Sequence, residues 1–317
     1  MKKYLQAKKK NHYVWRKYLQ NWTVEGNVYY LTKKNKISKD SPTGMCREEG
    51  FYKISTLNKN DLAYINSWVK KCPDHLQEFH NKTISKFLYA SNVLKIIEEE
   101  KEKSEFLEMA ENAIRHNCLE DMYCGVERGA EKSIEGLSVG NISVINDIKN
   151  AIGLYSYLGH QIMRTKAIKE RFFSASSSNN EFYRDLTEKN WWLVSYILGT
   201  NIGWSLYESR NRDNLSLVKS PQDYAFITGD CPVINIHPEV DAIVGGNPVE
   251  SLDLYFPVSP KYALIICESE KWRNLSGDIE KNIVASLNRR IASNAKYSIF
   301  SNTEELVREN RKEVGSW

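Results

Sequence analysis

Residues 191–206 read WWLVSYILGTNIGWSL, the most apolar run in a chain of 317 residues, and the fold turns on how it is read. The run is shorter than the ~20 residues that cross a bilayer, and it carries Thr200 and Asn201. It therefore reads as a buried core helix, expected to lie against a C-terminal sheet, and no membrane segment is expected. Upstream, apolar residues recur at helical spacing. Leu76, Phe79, Ile84, Phe87, Leu88, Leu94 and Ile97 mark one long helix from His75 to about Lys103. Leu119, Met122, Val126, Ala130, Ile134 and Leu137 mark a second, and Val144 to Ile162 a third. Asn60 or Asp61 caps a shorter helix before Pro73. The polar stretch 174–180, SASSSNN, precedes the tryptophan-rich run.

Downstream of about Asn211 the texture changes. Leu215–Val218, Tyr224–Thr228, Asp253–Val258 and Tyr262–Cys267 read as short strands punctuated by prolines and glycines. Ile279–Ala295 reads as an amphipathic helix and Tyr297–Phe300 as a last strand. Near the start, Val28–Thr32 follows a Gly26-Asn27 turn and reads as a strand. A second is expected at Phe51–Ile54, with residues 38–44 as a loop. The expectation is an α+β fold in one domain, residues 1–317. A helix-rich middle (60–210) packs on a small mixed sheet from a strand-rich end (211–317), and N-terminal strands are able to join it.

Composition excludes several classes. With 41% hydrophobic and 26% charged residues the chain has enough apolar material for a core and lacks the signature of disorder. Five of the first ten residues are lysine, with no apolar segment after them, so no signal peptide is read and a cytoplasmic location is expected. Six cysteines show no C-x-x-C pair and no zinc spacing, and read as reduced thiols; Cys118 and Cys124 fall on or beside helices. The net charge of +4 permits a nucleic-acid partner without requiring one. No P-loop, dinucleotide fingerprint, zincin or serine-hydrolase motif occurs, and Gly245-Gly246 reads as a loop turn.

Five polar residues stand out on apolar scaffolds: His12 in NHYVWRKYL, Glu127 in CGVERGAEKSIEGL, Gln161 and Arg164 in GHQIMRTKAIKERF, and Asp230 in FITGDCPV. Gln161 and Arg164 are three apart and share a helix face. Arg164 has the planar fork that grips phosphate or carboxylate. Asp230 follows a strand, where a sheet presents a carboxylate rigidly. Each also has a plain structural reading: a core histidine, a surface ion pair, a helix salt-bridge network, and an aspartate capping its own turn.

In order along the chain, HYV..KYLQNW, VERGAEKSI, HQIMRT, YAFITGDCPV, LYFPVSPKYALII and SLNRRIASNAKYSIFS resemble the uncharacterised bacterial family called domain of unknown function 4238. The resemblance implies that His12, Glu127, Gln161, Arg164 and Asp230 match recurring polar positions. The chain departs from it at Trp15, where proline is expected, at Gly229, where serine is expected, and at Cys231, where asparagine is expected.

Three functions follow. In the first, Glu127 and Asp230 hold Mg²⁺ or Mn²⁺, Arg164 clamps a phosphate, and His12 or Gln161 positions water. The chain is then a metal-dependent nuclease, set in anti-phage defence with a protein partner of that system. In the second, it is a non-catalytic sensor that binds a nucleotide or a phage component, with aromatic residues stacking on bases. In the third, the polar residues form a buried network that specifies the fold.

Overall fold

The computed structural model describes residues 5–175, 180–241 and 251–315; the Gly245-Gly246 turn lies outside them. The N-terminal segment sets short strands around one helical turn: β1 (Lys10–His12), α1 (Arg16–Leu19), β2 (Val28–Leu31), β3 (Ile37–Asp40) and β4 (Arg47–Glu49). The expected strand at Phe51–Ile54 is instead coil. Tyr52 and Ile54 are buried without a ladder, and the Ile54 N–H bonds the Arg115 carbonyl at 2.9 Å. The expected loop at 38–44 is half strand: β3 pairs with β2, Tyr30 opposite Ser38.

The middle is helical: α2 (Lys59–Val69), α3 (Asp74–Glu99), α4 (Glu105–Ser138), α5 (Ile148–Met163), α6 (Lys166–Ala175) and α7 (Glu181–Ser209). The cap of α2 is Asn58 rather than Asn60 or Asp61. Asp61 returns the bond to the Asn58 N–H, closing a capping box. Val144 and Ile145 sit in a 3-10 turn before α5, not inside it. Cys118 and Cys124 both lie on α4.

Helices α4, α5 and α7 pack closely because glycines remove the side chains between them. A Cβ on Gly153 would lie 2.0 Å from the Gly129 carbonyl oxygen, and one on Gly159 would lie 2.3 Å from the Gly203 nitrogen. Trp192, Leu193, Tyr196 and Ile197 of the apolar run are buried against α2, α3 and α4, whereas its other end, Ile202 and Leu206, shares a cluster with Leu254, Phe256, Leu264 and Ile266 of the C-terminal strands. Helices surround the first half of α7 because α2, α3 and α4 supply enough apolar surface to cover it. No helix among the described residues is long and apolar enough to cross a membrane.

The C-terminal part holds β5 (Asn214–Lys219), β6 (Thr228–Gly229), β7 (Ile234–Asn235), α8 (Pro238–Asp241), β8 (Leu254–Pro257), β9 (Tyr262–Cys267), α9 (Glu270–Arg273), β10 (Gly277–Asp278), α10 (Lys281–Asn294), β11 (Ile299–Ser301) and α11 (Glu304–Asn310). These strands divide between two sheets rather than one. One has the order β10-β5-β9-β8-β7; the other, β3-β2-β11-β6, is where the N-terminal strands join. Of the expected Tyr224–Thr228 strand only Thr228 is in a ladder, where with Gly229 it forms β6. The Ile227 N–H goes instead to the Asn288 side chain on α10 at 3.0 Å. The architecture is α+β, and it brings residue 30 beside residue 300.

Candidate functional site

Arg164 ends α5 with its side chain wholly enclosed, 2% exposed. An arginine so placed must find partners for its donors, and it does. Nε and Nη2 donate to Gln161 Oε1 at 2.9 and 2.6 Å, and Nη1 donates to Glu127 Oε1 at 2.8 Å. The guanidinium lies 5.5 and 5.6 Å from the ring centroids of Tyr123 and Tyr157. Burial works against the cation, but Tyr52, Glu127 and Tyr157 outweigh it and raise its pKa. Burial also raises the Glu127 carboxyl, opposed by Arg164.

The N-terminal strand closes this cluster. Gln161 Nε2 donates to the Tyr13 carbonyl at 3.0 Å. Tyr52 donates its hydroxyl to the His12 carbonyl at 3.1 Å, and Asn11 donates to Glu120, one face of α4 with Glu127, at 3.0 Å. The His12 ring lies outside the cluster, its Nε2 donating to the Thr43 carbonyl at 3.1 Å. Burial lowers the His12 pKa, as do Arg47, Arg16 and Arg164, so the ring is neutral at pH 7. His160, one turn before Arg164, is a neutral core histidine, pushed down to about 3 by burial.

Asp230 bonds a different segment. Its Oδ1 accepts the Lys296 N–H at 2.8 Å, and its Oδ2 accepts those of Tyr297 and Ser298 at 2.7 and 3.2 Å. It thus caps not its own turn but the one entering β11. Burial pushes its carboxyl up to about 6, opposed by these N–H groups. Glycine at 229 suits this junction: a Cβ there would lie 3.1 Å from Ala295 Cβ, so the serine expected at that position would crowd α10.

Of the five residues read from the sequence, then, Glu127, Gln161 and Arg164 share one hydrogen-bonded cluster, His12 borders it, and Asp230 serves another segment. The expected Mg²⁺ or Mn²⁺ does not fit Glu127 and Asp230. A divalent ion would have to displace Arg164 from the first and three main-chain N–H groups from the second. Among the described residues no group of three or more His, Cys, Asp or Glu side chains converges as a metal site.

Beside the Asp230-capped turn lies a cleft of about 420 Å³, lined by Tyr13, Tyr30, Lys33, Cys46, Arg47, Lys166 and Tyr297 among others. Its size falls in the usual range for small-molecule sites, about 300–1,000 Å³. The cations differ from Arg164. Lys33 and Arg47 are exposed, and among the described residues neither has a carboxylate partner. Lys33 Nζ lies 5.0 Å from the Tyr297 ring centroid, and Arg47 donates to the Thr43 carbonyl at 3.3 Å. Lys166 pairs with Glu48 at 2.7 Å, and Asp40 also reaches the lining. The Tyr30 ring stacks on Phe300 at 6.4 Å. Cys46 on the cleft wall has φ 48°, a left-handed conformation that costs a non-glycine residue about 1–2 kcal/mol. Its carbonyl accepts the Tyr13 N–H at 2.9 Å.

Sequence reading passed over Lys33, Arg47, Lys166 and Tyr297. The available signal was the lysine run 33–36 immediately after a strand. Together the fold and these groups define an α+β protein with a closed arginine cluster and an open cleft that carries Lys33, Arg47 and Lys166. The chain belongs to a family described as a protein of unknown function (DUF4238), whose model matches residues 10–305. Searches of curated proteins and of solved structures returned no match.

Proposed function

We propose that the protein is a binding module for a nucleotide, held by its phosphate in the cleft between Lys33 and Arg47. The observation that carries this reading is a pair of exposed cations with no carboxylate partner among the described residues, set in one cleft with Tyr30 and Tyr297. A phosphate supplies the acceptors such donors lack, and a base finds an aromatic face within the same cleft. The metal-dependent nuclease reading needs Arg164, Glu127 and Asp230 to face a substrate. The engagement of all three with protein groups favours binding over that chemistry. Asp230 keeps a role in this reading, because its carboxylate fixes the backbone that presents Tyr297.

The test is a thermal melt of the native protein with adenosine monophosphate or inorganic phosphate, repeated on a Lys33→Glu/Arg47→Glu variant. Ligand is expected to raise the native melting temperature in proportion to occupancy and to leave the variant unmoved. An equal rise in both proteins removes the cleft from consideration.

A further inference from the structure

The cleft opens on the β2–β3 hairpin, whose tip carries Lys33, Lys34 and Lys36 around Asn35. The tip is built rather than loose. The Thr32 N–H bonds the Lys36 carbonyl at 2.8 Å and the Asn35 N–H bonds the Thr32 carbonyl at 2.9 Å. Thr32 Oγ1 also accepts the Lys36 N–H at 3.1 Å, and Asn35 takes the left-handed φ of 56° that the turn requires. Ser298 ties the hairpin to the Tyr297 segment by donating its hydroxyl to the Leu31 carbonyl at 2.7 Å. Lys34 and Lys36 are exposed, and among the described residues neither has an ion-pair partner. By contrast Lys39, further along β3, points its charge toward Glu25, 3.9 Å away.

A mononucleotide in the cleft would leave Lys34 and Lys36 without a counter-charge. A chain of phosphates would not. We infer that the ligand is a single strand of nucleic acid, with one nucleotide in the cleft and its backbone continuing over the hairpin tip. A single strand is required because a base can reach Tyr30 or Tyr297 only when it is unstacked from a partner strand. This inference rests on the cleft being the nucleotide site, and its test separates the two.

The experiment measures fluorescence anisotropy of a labelled oligothymidylate of about twelve nucleotides, between about 50 and 200 mM salt. Thymidine monophosphate is titrated calorimetrically alongside, and both are repeated on a Lys34→Ala/Lys36→Ala variant, which leaves the cleft lining intact. The native protein is expected to bind the oligonucleotide more tightly than the monophosphate. The variant is expected to keep its monophosphate affinity and lose about tenfold for the oligonucleotide. Its log-affinity against log-salt slope should be shallower by about 1.4, from two phosphate contacts at about 0.7 each on a single strand. Monophosphate binding with no gain for the oligonucleotide, or no effect of the variant, overturns the strand and leaves the cleft. Equal affinity for polyglutamate of similar length also overturns it, since the site then reads charge alone. If neither nucleotide ligand binds, both readings fall.

Discussion

Two arginine-bearing regions lie close together in this molecule and could hardly be used more differently. Arg164 is enclosed, each of its three nitrogens donates to Gln161 or Glu127, and two tyrosine rings lie within 5.6 Å of it. Arg47 is exposed and holds one main-chain carbonyl at 3.3 Å. Arginine is suited to either task, so residue type alone does not say which is which. What decides is whether the donors are already satisfied. A satisfied buried cation contributes to the uniqueness of the fold. An unsatisfied exposed one is available to a ligand.

The largest expected effect comes from breaking the closed region. Arg164→Met leaves Glu127 half-buried without its counter-charge, and removing one member of a buried pair costs about 3–5 kcal/mol. Urea melts should show this loss, and Arg164→Met/Glu127→Gln should recover part of it, because no unpaired charge then remains. If Arg164→Met melts like the native protein, the cluster is not what holds β1 against α4 and α5.

Asp230 gives an intermediate effect with a pH signature. Asp230→Asn puts an amide N–H₂ or a single oxygen where two oxygens accept three N–H groups. The unpaired donors should cost about 1–3 kcal/mol at pH 7. The native carboxyl, raised by burial to about 6, lies above the ~3.9 of an unfolded chain. Between those values the folded protein holds a proton that the unfolded chain releases. The group's contribution is therefore largest below about pH 4 and declines as pH rises to about 6. The stability margin of the native protein over Asp230→Asn should narrow across that window by on the order of 2–3 kcal/mol. A margin that widens with pH would mean that the ionised form is the one the amides hold best.

The smallest stability effect belongs to the open region. Lys33→Glu/Arg47→Glu changes exposed side chains that have no ion-pair partner among the described residues, and surface changes of that kind stay within about 0.5 kcal/mol. A larger loss in urea melts would show that these cations support the hairpin and the Cys46 turn.

The same contrast explains what could be read in advance. Tyr262–Cys267 was legible as a strand, since Ala263 to Cys267 form an unbroken buried run between turn residues, and β9 has those bounds. Ile37–Asp40 was not, because Ser38, Lys39 and Asp40 carry no β signature and the strand forms only by pairing with β2. Phe51–Ile54 and Tyr224–Ile227 carry that signature but find their backbone partners outside any ladder. At the site, the spacing of Gln161 and Arg164 correctly put them on one face. Nothing local told that Glu127 would arrive from α4 to close it. Asp230 was visible as a strand-end carboxylate, but its partners stand at 296–298, beyond the reach of any motif. The cleft was the least legible part. Its aromatic and cationic groups come from residues 13, 30, 33, 47, 166 and 297, and the β2–β11 pairing, with the Ser298–Leu31 bond, brings the two ends of the chain together.

The most direct test sets the two regions against each other in one titration. Adenosine monophosphate is added calorimetrically to the native protein, to Lys33→Glu/Arg47→Glu and to Arg164→Lys, at a temperature where all three are folded. The charge-reversed cleft should bind at least about tenfold more weakly, as expected for losing two charge-assisted contacts. Arg164→Lys should melt lower yet bind with native affinity. Loss of binding in Arg164→Lys, with native affinity retained by Lys33→Glu/Arg47→Glu, would contradict the assignment and return the site to the arginine cluster.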